Sequence, residues 1–493
     1  MSARKQTRLK TGLLPALGAS LLLAGCMVGP DYVRPTSTLP EQYKETTAES
    51  GAPADAKALV NPEWWTLFND AMLNQLVQQA LVANQDLQAA IARLAASEAA
   101  AREAGAELYP AVGLGAGGSR NQTSGETFNG RQSGRALYDN RRAALSLSYE
   151  VDLWGRIRRG TEAAGAEALA SRYGRDSVRL ALIGQLANEY LALRSHEAQL
   201  EVTRQALESR QQSLKIVQAR VDGGTASGLD LAQAESALSA AQGQWSQVKR
   251  QRALSENQIG LLTGQPGLKI AAAGLEQLPV PPTPPVGLPS TLLEARPDVR
   301  QAEERLIAAN ARIGVARSGY FPSIALTAYA GGESVAFSRL FSGPAAIFSF
   351  AAALTQPIWN AGRVGLGVDR AEARRDQALA RYRQTVAAAF KDVRDALAAQ
   401  TAAREALAAE TVRSAALERA LHAARQRFDA GIASRLEVLD VERNLLAAEL
   451  ARIDAEYSRR SALADLFRAL GGGWTPGLPP DPDLSIRYLG NPR

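Results

Sequence analysis

Residues 157–221 can run as one unbroken helix, and no other feature limits the possible folds as tightly. After Trp154-Gly155-Arg156 no proline occurs until Pro266, and at 1.5 Å per residue about 65 residues reach about 100 Å. A globular domain has no use for a rod of that length. Leu186, Leu193, Leu200, Leu207, Leu214 and Val221 are spaced by sevens, the 3.5-residue repeat of left-handed coiled packing, so the rod lies along neighbours throughout. A second run, from about 364 to 430, carries its sevens at Val386, Val393, Leu407, Leu421 and Phe428.

Both rods end in turns that echo one another. Residues 220–236 read RVDGGTASGLDLAQAES and residues 427–443 read RFDAGIASRLEVLDVER, with Arg, Asp, Gly, Ala, Ser, Leu and Glu recurring at a spacing of 427 − 220 = 207. That period is too long for a solenoid and fits a duplicated half of a fold. Gly224 and Gly431 stand where a helix end wants positive φ. Ser227 and Ser434 are placed to cap the next helix, with Asp230 and Glu437 completing capping boxes. Each stretch therefore reads helix, tight turn, helix, the return helices spanning 228–262 and 435–470.

The remainder falls into the same order twice. A basic start and an apolar run at residues 11–23 lead to LAGC at 23–26, a lipoprotein signal over 1–25 with Cys26 as the lipidated residue, carrying N-acyl and S-diacylglycerol groups. Residues 26–60, opening CMVGPDYVRP, form an extended tether that wraps on other parts. The first repeat, 61–277, starts a helix at Asn61-Pro62-Glu63 with a break near Asn84, reaches Tyr109-Pro110, and then alternates with period two. A proline-rich linker spans 278–290. The second repeat, 291–470, restarts at Arg296-Pro297-Asp298, meets Tyr320-Phe321-Pro322, and places strands near 323–332 and 348–358 before Trp359 and Gly362-Arg363. An irregular tail, 471–493, closes the chain.

The strands carry the membrane argument. Leu145, Leu147, Tyr149, Val151 and Leu153 alternate with Ser146, Ser148, Glu150 and Asp152, as a strand between lipid and water does; its partner covers 111–118, with a polar outward loop over 119–142. Nothing after Cys26 is apolar for long enough to be a transmembrane helix. Four strands cannot close a barrel, and an open edge in hydrocarbon costs several kcal/mol per unpaired backbone group. Chains must share one barrel, two giving eight strands and three giving twelve.

Composition excludes other classes. The formal charge of +6 falls to 6 − 4 = +2 without Arg4, Lys5, Arg8 and Lys10, and no basic cluster remains for nucleic acid. Cys26 is the only cysteine, so the mature chain holds no internal disulfide. His196 and His422 are far apart in long helices without metal-ligand spacing, and no nucleophile elbow or phosphate loop occurs. The chain does not read as an enzyme, and Trp64 and Trp65 read as packing of the first helix.

Taken in order, CMVGPDYVRP, the WWTLFND segment at 64–70, the two-copy plan, LYP and YFP before the strand pairs, and DAGIASRLEVLD at the second turn resemble outer-membrane efflux proteins of the TolC family, in the OprM-like lipoprotein branch. The resemblance covers essentially the whole mature chain. It implies a mixed α/β membrane protein: a homotrimer whose shared twelve-stranded transmembrane β-barrel, four strands per chain, continues into a periplasmic α-helical barrel. It implies a passive exit duct for drugs and small toxic molecules in a tripartite system, with a periplasmic adaptor and an inner-membrane RND transporter as partners and no cofactor. Leu436, Asp440 and Arg443 share one helix face just inside the second turn and match the family's periplasmic gate, as a leucine constriction, a carboxylate ring and arginines tying neighbouring helices. Phe428 stands where relatives often have tyrosine. The first turn carries Leu229, Gln233 and Ser236, so gating is expected to depend on the second copy. Gly224, Ser227, Gly431 and Ser434 mark the adaptor-docking edge. Competing readings are a duct of the same fold for proteins or metal ions, a periplasmic coiled-coil adaptor, and, more remotely, a periplasmic hydrolase.

Overall fold

The computed structural model describes residues 27–36, 63–126, 128, 137–281 and 296–472. Cys26, the signal segment, most of the tether and linker, and the tail beyond Gly472 lie outside the described residues. Seven α-helices are described: α1 (Ala71–Ala83), α2 (Gln85–Ala106), α3 (Arg156–Asp222), α4 (Gly228–Leu262), α5 (Pro297–Ser318), α6 (Arg363–Asp429) and α7 (Arg435–Ala469). Four strands, β1 (Ala111–Gln122), β2 (Leu137–Val151), β3 (Ser323–Ser334) and β4 (Ala346–Thr355), form one antiparallel sheet in sequence order.

Helix lengths recur without drift. α3 and α6 are both 67 residues, about 100 Å; α4 and α7 are both 35, and α2 and α5 both 22. The shorter helices flank only part of each rod, and the remaining length is covered by a second helix placed end to end with the first. At the break between α1 and α2, Asn84 caps α2 by accepting from Leu87 N at 3.0 Å and donates from Nδ2 to the last carbonyl of α4, Leu262 O, at 3.1 Å. Before α5, Arg296 reaches the last carbonyl of α7, Ala469 O, at 2.8 Å. One side chain at each break satisfies a helix-end carbonyl that would otherwise be orphaned, and the helical layer passes through both breaks.

The first helix starts later than the Asn61-Pro62-Glu63 signal suggests. Residues 61 and 62 lie outside the described residues, Trp64–Phe68 form a 3₁₀ turn, and Asn69 at φ +48° reverses the chain before Asp70 caps α1. The detour seats Trp64, Trp65 and Phe68 in the core, where Trp64 stacks on Phe467 of α7 at 5.7 Å between centroids. Leu186, Leu193 and Ile259 complete that core at mid-length of the rods; Val299, Tyr382 and Val393 anchor a second. Of the heptad series, Leu186, Leu193 and Val393 are fully buried, whereas Leu200, Leu207, Leu214 and Phe428 nearer the turns are partly exposed.

Residues 27–36 are extended and packed on the helices. They lie across α5 and the start of α3: Val28 N donates to Trp154 O at 3.1 Å, Asp31 pairs with Arg159 at 2.6 Å and Arg34 with Glu303 at 2.6 Å. Gly29 (φ +111°) passes so close to Gly314 that a Cβ on either would collide with the other segment's backbone.

The strand ends differ from the expected ones: β3 runs to Ser334, two past 332, and β4 covers Ala346–Thr355, two residues early and three short of 348–358, because Pro357 cannot continue the ladder. β1 continues to Gln122 and β2 begins at Leu137, so both ends of the stretch read as a loop over 119–142, residues 119–122 and 137–142, are paired strand, Ser119 opposite Asn140 and Gln122 opposite Leu137. Paired backbone satisfies its hydrogen bonds whatever the side chains are, which is why polarity alone misplaced the loop. β2 also stops at Val151, before Asp152 and Leu153. Asp152 leaves the alternation to accept from Ile157 N and Arg158 N and so hold the start of α3.

Candidate functional site at the hairpin tips and the sheet edges

Both hairpin turns close by the same hydrogen bonds. Thr225 N donates to Arg220 O at 2.8 Å and Gly224 N to Val221 O at 2.9 Å; Ile432 N donates to Arg427 O at 2.8 Å and Gly431 N to Phe428 O at 3.0 Å. These are Schellman pairs, with Gly224 (φ +70°) and Gly431 (φ +74°) in the left-handed position such a turn needs. The caps differ. Ser227 and Asp230 form a full capping box, and the backbone and hydroxyl bonds to Ser227 hold the Asp230 carboxyl below its ordinary range. Ser434 accepts from Glu437 N at 3.3 Å, but the Glu437 carboxylate turns away to Arg427 at 2.8 Å. The expected second box is therefore half made, because a guanidinium outcompetes a backbone N–H for that carboxylate.

Leu436, Asp440 and Arg443 do share a face. They line one groove of about 600 Å³, opposite Gln233, Ser236 and Ala240 of α4. Asp440 accepts from Arg443 at 2.5 Å and from Asn444 at 3.2 Å, all within α7. Within the chain Arg443 folds back on its own helix, because a carboxylate three residues earlier is the nearest acceptor. Asp440 is 51% and Arg443 75% exposed, and such a pair contributes about 0–1 kcal/mol.

Phe428 lies apart from that groove. Its ring sits between the guanidiniums of Arg220 and Arg435, each 5.6 Å from the centroid, within cation–π range. Arg435 also donates to Ser213 Oγ of α3. Burial pushes the Arg435 guanidinium below its ordinary range; Glu442 acts against this, while Arg210, Arg425 and Arg220 add to it.

Within the chain, a tie between helices is made by Glu442. One carboxylate oxygen meets Arg210 of α3, the other Arg425 of α6 at 3.0 Å, so three helices are clamped through a carboxylate that is only 10% exposed. The signal available in the sequence was the recurrence of Glu442 at Glu235 in the turn echo. Nothing in the spacing pointed to Arg210, 232 residues away.

His196 and His422 stay apart. Burial lowers the His196 pKa, with Ser255 Oγ at 3.4 Å from Nδ1, and His422 lies beside Gln426 on the surface. No cluster of metal-ligating side chains occurs among the described residues.

At the other end of the molecule the sheet has two faces of opposite character. The register sets Val112 opposite Leu147, Leu145 opposite Ala330 and Ala328 opposite Phe350, so these side chains share one apolar face. Val112, Leu114, Leu145, Phe348, Phe350 and Leu354 on it are exposed. The opposite face carries Ser146, Ser148, Thr327 and glycines, with Arg142 stacked over Tyr329 at 4.2 Å. β1 and β4 are the edges, each paired on one side and without a strand on its outer side among the described residues. No described helix is long and apolar enough to cross a membrane.

Residues 76–265 and 288–472 match the family described as outer membrane efflux protein. The chain belongs to that family. It is 35% identical over 470 residues to the probable efflux pump outer membrane protein TtgC of Pseudomonas putida, covering 94% of this chain and 96% of that one. It is 33% identical over 468 residues to the cation efflux system protein CusC of Escherichia coli, covering 94% and 98%. The crystal structure of the Campylobacter jejuni CmeC outer membrane channel superposes with a TM-score of 0.86 at 25% identity, covering 94% of this chain and 98% of that one. This outer membrane efflux protein is therefore the outer-membrane channel component of an efflux system. Its family is one of export channels and not of enzymes.

Proposed function

We propose that three copies of this chain close one twelve-stranded barrel, with the apolar sheet face toward lipid, and that the helices continue the same threefold symmetry as a periplasmic tube. The observation that carries this is the sheet itself: four strands among the described residues, the outer sides of β1 and β4 unpaired, and one face apolar from the rod end as far as Ala116 opposite Ala143. Unpaired edges cannot remain in hydrocarbon. Two copies would give eight strands, whose interior is largely filled by side chains, whereas twelve leave room for a duct. The equal helix lengths and the 207-residue turn echo support a duplicated half with the boundaries 61–277 and 291–470, joined by the linker at 278–290. Cys26 would carry the lipid, which fastens the tether at 26–60 from the membrane side.

At the far end the tips would gather about the axis, and threefold symmetry would turn Leu436, Asp440 and Arg443 into rings that close the duct at rest. The exposed donors of Arg443 are then available to a neighbouring copy. The turns at Gly224, Ser227, Gly431 and Ser434 would form the edge that an adaptor's helical hairpin docks on, with an inner-membrane pump behind it. The cargo proposed is small organic toxins. A second reading, export of metal ions, is favoured by the similarity to CusC.

The test is electrophoretic and electrical. Purified protein should run as an SDS-resistant trimer that heat converts to monomer, and should form channels in planar bilayers. A monomeric, water-soluble product without channels would overturn the proposal. A susceptibility panel on the deletion strain, setting dyes and antibiotics against copper and silver, separates the two cargo readings.

A further inference from the structure

The junction between strands and rods occurs twice, once assembled within the chain and once left in two pieces. In the assembled one, Trp154 follows β2, stacks on Phe321 at 4.6 Å between centroids and donates from Nε1 to Pro322 O at 2.8 Å. Phe321-Pro322 immediately precede β3, the strand that pairs with β2. In the other, Trp359 follows β4 and is 87% exposed, while Tyr109-Pro110 precede β1 with Tyr109 also exposed. β4 and β1 are the two free edges.

We infer that Trp359 of one copy docks on the neighbouring copy's Tyr109 and Pro110, and that this contact fixes the register in which β4 pairs with the neighbour's β1. The inference rests on the barrel reading above and adds its seam. Trp359 lies 359 − 154 = 205 residues after Trp154, and Pro110 lies 322 − 110 = 212 before Pro322. Carrying the β2–β3 pairs across by those offsets, Tyr149 opposite Leu326 becomes Leu354 opposite Leu114, and Leu145 opposite Ala330 becomes Phe350 opposite Gly118. Both new pairs keep the apolar face continuous around the seam, which a slip of one residue would invert.

A rival register follows if Gly155 is matched with Gly362, since both sit at positive φ before a rod; Leu354 would then oppose Ala116. The tryptophans favour the first alignment. The two extra residues, Asn360-Ala361, come after Trp359 on the helix side, with Ala361 at φ +52°, so they lengthen the joint to α6 without shifting the strand.

Paired cysteines in the full chain decide between them. Residues directly opposite have Cα atoms about 5 Å apart, and a slip of two residues separates them to about 8 Å, past disulfide reach. Oxidised Leu354→Cys with Leu114→Cys should therefore give a covalent trimer on non-reducing gels of heated samples, while Leu354→Cys with Ala116→Cys, or with Val112→Cys, should give monomer after heating. Crosslinking strongest through Ala116→Cys or Val112→Cys overturns the register while leaving an SDS-resistant trimer in place. If the unmodified protein shows no such trimer, the barrel reading itself fails, and the seam with it.

Discussion

Replacing Glu442 with Gln should disturb the tip more than any change at the groove residues. The Arg210 and Glu442 side chains are each 10% exposed, so the variant leaves a desolvated guanidinium without its counter-charge. Breaking a buried pair in this way costs about 3–5 kcal/mol. Arg425, on the other oxygen, is about half in solvent and can recover water, so the lower end, about 3 kcal/mol per copy, is the better figure. That corresponds to about 150-fold in an equilibrium constant. Glu442→Gln keeps shape and one acceptor oxygen, so the loss is of charge and not of volume. Planar-bilayer recordings should show a marked rise in the open fraction, and thermal unfolding should begin at a lower temperature. The pair Arg210→Met with Glu442→Leu removes both charges at similar volume and should recover much of the stability, because apolar replacement of a buried pair is often neutral. If Glu442→Gln conducts and melts like the parent, the three-helix clamp does not hold the tip.

Other expectations follow from the same geometry. Asp440→Ala with Arg443→Ala should raise conductance only through contacts with neighbouring copies, since the exposed pair contributes about 0–1 kcal/mol within the chain; an unchanged closed channel removes both from the gate. Ser227→Ala should destabilise the first turn of α4 by about 1 kcal/mol, read as faster amide exchange there, and more than Ser434→Ala does in α7, where the box is half made; the reverse order would refute the capping account. Burial, with repulsion from Glu303, raises the Glu304 carboxyl to about 7 against the pull of Arg300 and Arg34. The native state then holds that proton more tightly than the unfolded chain, so its contribution is present below about 4.5 and is lost as pH rises through about 7. Glu304→Gln should flatten the fall in melting temperature between pH 5 and about 8, and an unchanged slope would clear Glu304. Gly314→Ala would set a Cβ 2.6 Å from Val28 O, so limited proteolysis should begin in the tether; an unaltered digest would mean the close approach does not hold it.

What could be read from the sequence was whatever is encoded locally. Proline-free length, heptads and the Ser and Gly of each turn gave α4 to the residue, and the ends of α3, α6 and α7 within one, because caps and breakers act over a turn or two. Alternation located β2 but overran its end, since Asp152 fits the polar phase of the strand and also serves as an acceptor for the next helix. The strand tips were misjudged because the pairing of Ser119 with Asn140 is a partner effect. The Glu442 clamp failed for the same reason on a larger scale: its arginines come from two other helices, and only folding brings them together. Position alone singles out Phe428, yet its two guanidinium neighbours come from α3 and α7.

The two tips also differ in what holds them, and the difference bears on which one can move. The first turn satisfies itself: Ser227 and Asp230 exchange both capping bonds, and α4 opposite the groove presents Gln233 and Ser236. In the second, Glu437 abandons its cap for Arg427, and Glu442 spends its charge on α3 and α6. An N-terminus stabilised by its own box gains little from its surroundings, whereas one stabilised across helices is only as firm as those partners' positions. Displacing α7 and the end of α6 together relative to α3 breaks Glu442–Arg210, Arg435–Ser213 and the Arg220–Phe428 stack, and leaves Glu442–Arg425, Glu437–Arg427 and the first hairpin's own bonds intact. Such a displacement also widens the groove lined by Leu436, Asp440 and Arg443, so the residues proposed to occlude the duct ride on the hairpin whose restraints are the more easily exchanged.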